Sequence, residues 1–170
     1  EDRYLQASPE LCMKRLLAKG FNKIFQICKC FRRNERGLHH LSELTMLEWY
    51  AKNDTYLDLM DQCQRLIKFI ATRLNLDNKI KYQDKLINLN QPWQKLTVQQ
   101  AFVLYADRSL NDALFEGSFD EIISFQIEPR LGNTTPCFLY DYPASLASLA
   151  KLLPGNPEVA QRFEFYMAGI

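Results

Sequence analysis

Residues 31–50 read FRRNERGLHHLSELTMLEWY, and this stretch decides how the rest of the chain is interpreted. It begins at the end of one alternating segment, Ile24 to Phe31, and finishes with another, Leu44 to Tyr50. Alternation with a period of two is typical of β-strands, so we predict an antiparallel hairpin with a long connecting loop. One face of the first strand is predicted to carry Ile24, Gln26, Cys28, Cys30 and Arg32, and one face of the second Met46, Glu48 and Tyr50.

Arg32, Glu48 and Tyr50 form a candidate binding site on this hairpin. A guanidinium at the end of a strand can bind a phosphate or a carboxylate through two hydrogen bonds. An acid inside an apolar strand is costly to bury unless it meets a cation, and a carboxylate beside a phenol suits an ammonium group. The alternative is a structural ion pair on a solvated sheet face, and spacing alone leaves both open.

Two further patterns near the hairpin contain residue types that can form a binding site. Cys28 and Cys30 with His39 and His40 offer the ligand types that zinc prefers. Structural zinc sites more often separate their cysteines by two residues, and both thiols also fit as small apolar strand residues, so we do not adopt a metal site. The loop carries a basic cluster of Arg32, Arg33 and Arg36, for which phosphate binding and simple solvation remain open.

The composition indicates a globular chain that forms one domain over residues 1–170. It has 170 residues, 47% hydrophobic and 24% charged, with a formal net charge of +1. A charge this small argues against a strongly steered nucleic-acid surface, so a tRNA partner is not expected. No membrane-spanning run and no export signal is apparent, and five cysteines then indicate reduced thiols, so we expect a cytoplasmic location.

The remaining pattern predicts an α+β class, an antiparallel sheet flanked by helices that pack on one face. The first predicted helix is capped by Ser8, has Pro9 at its first position, runs through Leu17 and stops at Gly20. The second is a long amphipathic helix from Thr55 to Leu74. Short helices open at two capping boxes, Thr97 with Gln100 and Ser118 with Glu121. The other predicted elements are a loop or short hairpin over Lys79–Gln94 and strands at Cys137–Tyr140 and Phe163–Met167.

The order of these segments resembles a known family. Phe31-Arg32, His40 and the run from Glu43 to Tyr50 resemble motif 2 of class II lysyl-tRNA synthetases. Trp49, which follows the motif 2 acid, resembles the branch formed by elongation factor P (R)-β-lysine ligases. The remaining matches are Ser8-Pro9-Glu10, Met13-Lys14-Arg15-Leu16-Leu17, Tyr142 to Ala150, Arg162-Phe163-Glu164 and Gly169-Ile170.

The resemblance implies part of a class II catalytic core that uses ATP and Mg2+. It implies lysine or β-lysine as the activated amino acid, elongation factor P as acceptor, and a possible homodimer in the complete protein. By this likeness Arg32 is the catalytic residue, bridging the α-phosphate of ATP and the substrate carboxylate. Glu10 binds one substrate amino group, and Glu48 with Tyr50 binds the other. The implied ATP-binding residues are Arg32, Asn34, His40 and Leu44.

Departures from the family pattern fall on the nucleotide side. Asn34 stands two residues after Arg32, where the family pattern has an acid. Leu41-Ser42 replaces the family's Asn-Pro, and Leu44 replaces the aromatic residue that stacks on adenine. Motifs 1 and 3 of the family are not found within the 170 residues, so we expect no lysine activation by this stretch alone. Two alternatives stay open: a degenerate, non-catalytic binding module, and a fragment of a lysyl-tRNA synthetase.

Overall fold

A computed structural model describes residues 4–35, 37 and 40–170 of the chain. It divides the chain into two compact units, Glu1–Asp54 and Thr55–Ile170. Two residues named in the sequence analysis, Arg36 and His39, lie outside the described residues. A single domain over residues 1–170 stays a prediction, and each unit is taken by itself below.

The first unit contains a helix and a two-stranded antiparallel sheet. Helix α1 spans Glu10–Ala18, strand β1 Lys23–Phe31 and strand β2 Glu43–Ala51. The helix therefore begins at Glu10, one residue later than predicted. The hydroxyl of Ser8 still accepts a hydrogen bond from the Glu10 backbone N–H at 3.1 Å, which satisfies one of the free donors at the helix start.

The register of the hairpin confirms the shared face that the alternation predicted. Gln26 lies opposite Glu48, and Cys30 lies opposite Leu44. Directly opposed residues of an antiparallel pair point to the same side of the sheet. The backbone N–H of Arg32 donates to the carbonyl of Ser42 at 2.8 Å, which extends the pairing one step beyond β1. Arg32 and Glu48 therefore belong to one face.

The second unit contains all the remaining elements. Its helices are α2 (Tyr56–Arg73), α3 (Val98–Tyr105), α4 (Leu110–Glu116) and α5 (Phe119–Ile122), the last continued by π-helical and 3-10 turns over Ile123–Ile127 and Glu128–Arg130. Its strands are β3 (Lys79–Tyr82), β4 (Lys85–Asn88), β5 (Gln94–Thr97), β6 (Cys137–Pro143), β7 (Leu152–Leu153) and β8 (Asn156–Tyr166). The long helix, the short hairpin β3–β4 and both predicted strands are confirmed. Among the described helices, none has the length and apolar character needed to cross a bilayer.

The sheet of the second unit corrects two expectations. Its strand order is β5-β6-β8-β7, and β5 runs parallel to β6, so the sheet is mixed rather than purely antiparallel. Along β6 the side chains alternate between two cores: Leu139 packs with residues of α3, α4 and α5, and Phe138 packs with residues of α2. Helices therefore cover both faces of this sheet, not one.

The two predicted capping boxes have different outcomes. Thr97 has an extended backbone and accepts from the Gln100 backbone N–H at 3.1 Å, while the Gln100 side chain accepts from the Thr97 N–H. At Ser118 the prediction of a capping box is wrong. Its backbone has φ −95° and ψ 7°, away from the extended conformation that aims a capping hydroxyl at the next turn.

Candidate functional site

Glu48 lies at the centre of a small polar cluster within the first unit. The hydroxyl of Ser8 donates to its Oε1 through a short hydrogen bond, and the hydroxyl of Tyr50 donates to its Oε2 at 2.9 Å. Burial raises the pKa of Tyr50, and the hydrogen bond to Glu48 together with the negative charge of Glu10 raises it further. Tyr50 therefore stays a neutral donor, and both acids act on it.

Glu10 brings a second carboxylate to this cluster from the first turn of α1. Its Oε1 accepts from the ammonium of Lys14, one turn along the helix, at 2.6 Å. The side chains of Glu10 and Lys14 are 34% and 39% exposed, so the pair is largely shielded. The Ser8 hydroxyl donates to the carboxylate of Glu48 and accepts from the backbone N–H of Glu10.

Arg32 is held at the end of β1 by contacts on both sides. Its Nε donates to the carbonyl of Ala7 at 3.2 Å, and its Nη1 lies 3.7 Å from Oε2 of Glu35. The thiol of Cys30 lies on the same face of the hairpin as Arg32 and Glu48. Burial raises the pKa of that thiol, Cys28 and the charge of Glu48 raise it further, and the charge of Arg32 lowers it. Arg32 and Glu48 are thus both within electrostatic reach of Cys30.

Three further residues, His40, Leu44 and Asn34, are the ones that the resemblance assigns to ATP beside Arg32. His40 is exposed and lines a cavity of about 490 Å³ with Gly37 and residues 41–43. Leu44 lies on the face of Glu48, opposite Cys30. Asn34 is exposed and has a left-handed backbone, with φ 67°. Asn tolerates that conformation better than most residues, so its place in the turn accounts for the side chain present there.

Two participants were missed as site residues in the sequence. The sequence places Ser8 at a helix cap and in a matching segment, and Lys14 in a matching segment, without assigning either a role in the site. Ser8 is 40 residues from Glu48, so their contact depends on the tertiary fold. The spacing of Lys14 from Glu10, four residues along a predicted helix, did carry a usable signal, because such pairs meet on a helix surface.

The described residues of the candidate zinc site, Cys28, Cys30 and His40, form no metal-binding cluster in the structure. Cys28 and Cys30 lie with their sulfur atoms 3.8 Å apart and are both free thiols, as are the other three cysteines. Within residues 4–35, 37 and 40–170, no three His, Cys, Asp or Glu side chains come together to hold a metal ion. Mg2+ therefore stays an expectation from the family resemblance.

The second unit contains a larger cavity that the sequence did not predict. It has a volume of about 750 Å³, and its lining includes Asp141 and Glu158. Asp141 has a left-handed backbone, φ 59°, at an irregularity in the pairing of β6 with β8. Its Oδ1 accepts from the hydroxyl of Tyr56 at 2.7 Å, and burial with this hydrogen bond raises the pKa of Tyr56 to about 12.

The hairpin site has the chemistry that the sequence predicted. A guanidinium, two carboxylates and a phenol on one small unit can hold a carboxylate and ammonium groups, as expected for a domain that selects a basic amino acid. The model of the class II tRNA synthetases for D, K and N matches residues 1–170. The chain belongs to this family, which confirms the resemblance seen in the sequence.

Two of the relatives are named as elongation factor P (R)-β-lysine ligases. That of Vibrio cholerae serotype O1 is 38% identical over 173 residues, covering 98% of this chain and 53% of the relative. That of Pseudoalteromonas translucida is 39% identical over 171 residues, covering 96% and 52%. The lysine–tRNA ligase of Campylobacter jejuni is 31% identical over 189 residues, covering 99% and 37%. The chain spans about half the length of the curated ligases it matches.

Proposed function

We propose that this chain supplies the amino-acid-selecting half of an ATP-dependent aminoacyl ligase of the elongation factor P β-lysylation type. The single observation that carries the proposal is the arrangement of Arg32, Glu48, Tyr50 and Glu10 within one unit. The guanidinium receives the substrate carboxylate, and the two acids receive the two ammonium groups of lysine or β-lysine. Relatives that bear this activity in their names support the assignment.

The reaction we assign has two steps. The substrate carboxylate attacks the α-phosphorus of ATP and pyrophosphate leaves, which gives an aminoacyl adenylate. The amine of a lysine side chain on elongation factor P then attacks the carbonyl carbon, and AMP leaves. Both steps need positioning and charge neutralisation more than a protein base, and Arg32 supplies a fixed cation where negative charge develops. ATP is the co-substrate, and Mg2+ accompanies it in the proposal without an assigned ligand set.

The proposal is tested by asking whether Arg32 recognises the carboxylate of the substrate. The chain is titrated in a calorimeter with lysine, (R)-β-lysine and cadaverine, which is lysine without its carboxylate. We expect lysine to bind at least about tenfold more tightly than cadaverine, because a charge-assisted bidentate contact contributes roughly 1.5–3 kcal/mol. Arg32→Ala removes this preference, whereas Arg33→Ala, at an exposed neighbouring position, retains it. Equal binding of lysine and cadaverine by the parent chain contradicts the proposal.

We further propose that the 170 residues alone give no lysine-dependent exchange of pyrophosphate into ATP. The chain covers 53% and 52% of the two curated ligases, and two of the residues assigned to the nucleotide, Asn34 and His40, are exposed. Detectable exchange with lysine or β-lysine contradicts this part of the proposal. Elongation factor P as acceptor, a homodimer and a cytoplasmic location stay predictions.

A second candidate function is a non-catalytic binding module of the same fold. The observation that favours it is Asn34, which stands where the family resemblance implies an acid and whose left-handed backbone is accounted for by the turn. Calorimetry with ATP separates the two candidates. The ligase assignment expects ATP to add heat of binding in the presence of lysine, and the module assignment expects none. A lysyl-tRNA synthetase, the third possibility, differs in its acceptor, and transfer to tRNA rather than to elongation factor P identifies it.

A further inference from the structure

Cys28 and Cys30 form a pair of thiols that the proposed ligase chemistry does not use. Both side chains lie on one face of β1, and their sulfur atoms are 3.8 Å apart. Both are free thiols in the structure. Small apolar residues on a strand need no contact between sulfur atoms, whereas a disulfide requires one. The pair therefore brings two oxidisable atoms into contact.

The two thiols differ in exposure. Cys28 is half-buried, and its sulfur accepts from the side-chain amide of Gln6 at 3.4 Å. Cys30 has no exposed surface, and burial together with its contact with Cys28 raises the pKa of its thiol. An accessible sulfur meets an oxidant first, and a second sulfur at contact distance can then react with the product. Cys28 is therefore the first point of attack and Cys30 the second.

We propose that this pair is a modification site at which a hydroperoxide closes a disulfide between Cys28 and Cys30. The Cys28 thiolate attacks one peroxide oxygen and the O–O bond breaks. Sulfur keeps that oxygen as a sulfenic acid, and the other oxygen leaves as hydroxide and takes up the proton of Cys28. The Cys30 sulfur then attacks the Cys28 sulfur, the S–O bond breaks, and hydroxide leaves with the Cys30 proton. With hydrogen peroxide, two thiols and one peroxide give one disulfide and two waters.

Closing this bond strains the strand. The sulfur atoms must move from 3.8 Å apart to about 2.05 Å. Residues two apart on a strand have Cα atoms about 6.4–6.8 Å apart, at the upper end of the range of roughly 4.4–6.8 Å found in disulfides. Strand β1 must therefore shorten at Lys29, which pairs with Thr45. A strained disulfide is easily reduced, so we expect the modification to be reversible.

The strain reaches the site that we propose for the amino acid, and this consequence rests on the proposed function. Gln6 contacts Cys28 through its amide, and its carbonyl accepts from the Phe31 backbone N–H at 2.9 Å. The next residue, Ala7, accepts from Nε of Arg32 at 3.2 Å. Shortening β1 displaces these contacts and moves Arg32 with them. We expect the disulfide form to bind lysine at least about fivefold more weakly than the reduced form.

The test is oxidation by hydrogen peroxide, followed by alkylation of the remaining thiols, trypsin digestion and mass spectrometry. Trypsin cleaves after Lys29, between the two cysteines, so the disulfide joins the peptides 24–29 and 30–32. In the monomeric parent chain we expect these peptides to be linked, and to be separated again by glutathione. In Cys30→Ala, Cys28 has lost its neighbour, so its sulfenic acid should persist and react with dimedone. Cys12→Ser, at an exposed thiol of α1, is the control and should form the disulfide as the parent does.

The peptide map decides on the disulfide. Peptides that stay unlinked in the oxidised monomer overturn the proposal, and so does a link found only between two chains. A folded Cys30→Ala whose Cys28 takes up no dimedone overturns the assigned order of attack. Thermal melts within about 2 °C of the parent establish that this variant is folded. The map of the parent does not depend on any variant.

Calorimetry with lysine, before and after oxidation, decides on the consequence for the site. Glutathione should restore lysine binding, which separates the disulfide from oxidised methionine, since methionine sulfoxide needs a dedicated reductase. A disulfide form that binds lysine within about twofold of the reduced form overturns the consequence and leaves the proposed function standing. A reduced parent that binds no lysine overturns the proposed function and this consequence, while the peptide map still decides on the disulfide.

Discussion

Replacing Glu48 by glutamine changes the charge of the site while keeping its shape. Glu48 accepts from Ser8 on one oxygen and from Tyr50 on the other. Glutamine presents one oxygen and one amide nitrogen, so it can still accept from one hydroxyl. The hydroxyl of Ser8 can reverse its role and accept from the amide nitrogen, because a hydroxyl both donates and accepts. The surrounding contacts can therefore survive the change.

We expect Glu48→Gln to weaken the binding of a ligand that carries an ammonium group. A hydrogen bond to a charged group contributes about 1.5–3 kcal/mol, and one between neutral groups about 0.5–1.5 kcal/mol. The difference of about 1–1.5 kcal/mol corresponds to lysine binding that is roughly tenfold weaker in Glu48→Gln. The change also removes a negative charge that raises the pKa of Tyr50, so that pKa should fall toward its ordinary value while burial still holds it above.

Two measurements check this prediction on the same samples. Calorimetry gives the affinity for lysine, and carbon-13 NMR of labelled tyrosine rings gives the pKa of Tyr50. Glu43→Gln is the matched control, because Glu43 is on the same strand but its side chain is 58% exposed and paired with Lys29 at 3.1 Å. A folded Glu48→Gln that binds lysine within about twofold of the parent refutes the role assigned to this acid.

Three further predictions concern the second unit. Gly132 has φ +67°, and a Cβ at this position would meet backbone atoms of residues 166 and 167 at 2.5–2.8 Å. Gly132→Ala should therefore lower the free energy of unfolding, measured by urea titration, by more than about 2 kcal/mol. Gly155 is the control: it has φ +83° but open space around it, so Gly155→Ala should lower the free energy of unfolding by about 1 kcal/mol. Thr97→Ala removes a helix cap and should lower the free energy of unfolding by about 1 kcal/mol. Ser118→Ala should leave it unchanged, because the buried Ser118 hydroxyl has no hydrogen-bond partner among the described residues. Equal losses of stability in the two variants would contradict this prediction. Burial raises the pKa of Tyr166 above its value of about 10 in the unfolded chain. The contribution of neutral Tyr166 to stability is therefore complete below about pH 10 and is lost as the pH rises further. A free energy of unfolding that stays constant up to about pH 11.5 would be inconsistent with this prediction.

The hairpin was predictable because its information is local. A period of two fixed which residues share a face, and the observed register brings Arg32, Glu48 and Tyr50 to that face as expected. The contact of Ser8 with Glu48 was not predictable in this way, since it joins segments 40 residues apart. Alternation of apolar and polar residues along a strand predicts which side chains share a face. It does not predict which distant segment packs against that face.

The sheet of the second unit shows a different limit. The run Cys137–Tyr140 is apolar at every position, so it predicted a strand without revealing that both of its faces are covered. Strand β5 was missed because Gln94–Thr97 is short and mostly polar, and it pairs with β6 alone. At Ser118 the residue types of a capping box were present, but the backbone dihedrals put the hydroxyl elsewhere.

The distribution of contacts around the hairpin bears on the order in which substrates bind. Arg32, Glu48 and Tyr50 are each held by hydrogen bonds or ion pairs from within Glu1–Asp54, so the site that we propose for the amino acid is organised without a nucleotide. The side chains of His40 and Asn34, which we propose for the nucleotide, are exposed, and no side-chain hydrogen bond among the described residues is seen to hold them. Because a preorganised site loses less entropy on binding, lysine should bind without ATP, whereas ATP binding should depend on what lysine orders. Calorimetry that finds ATP bound equally well with and without lysine would refute this order.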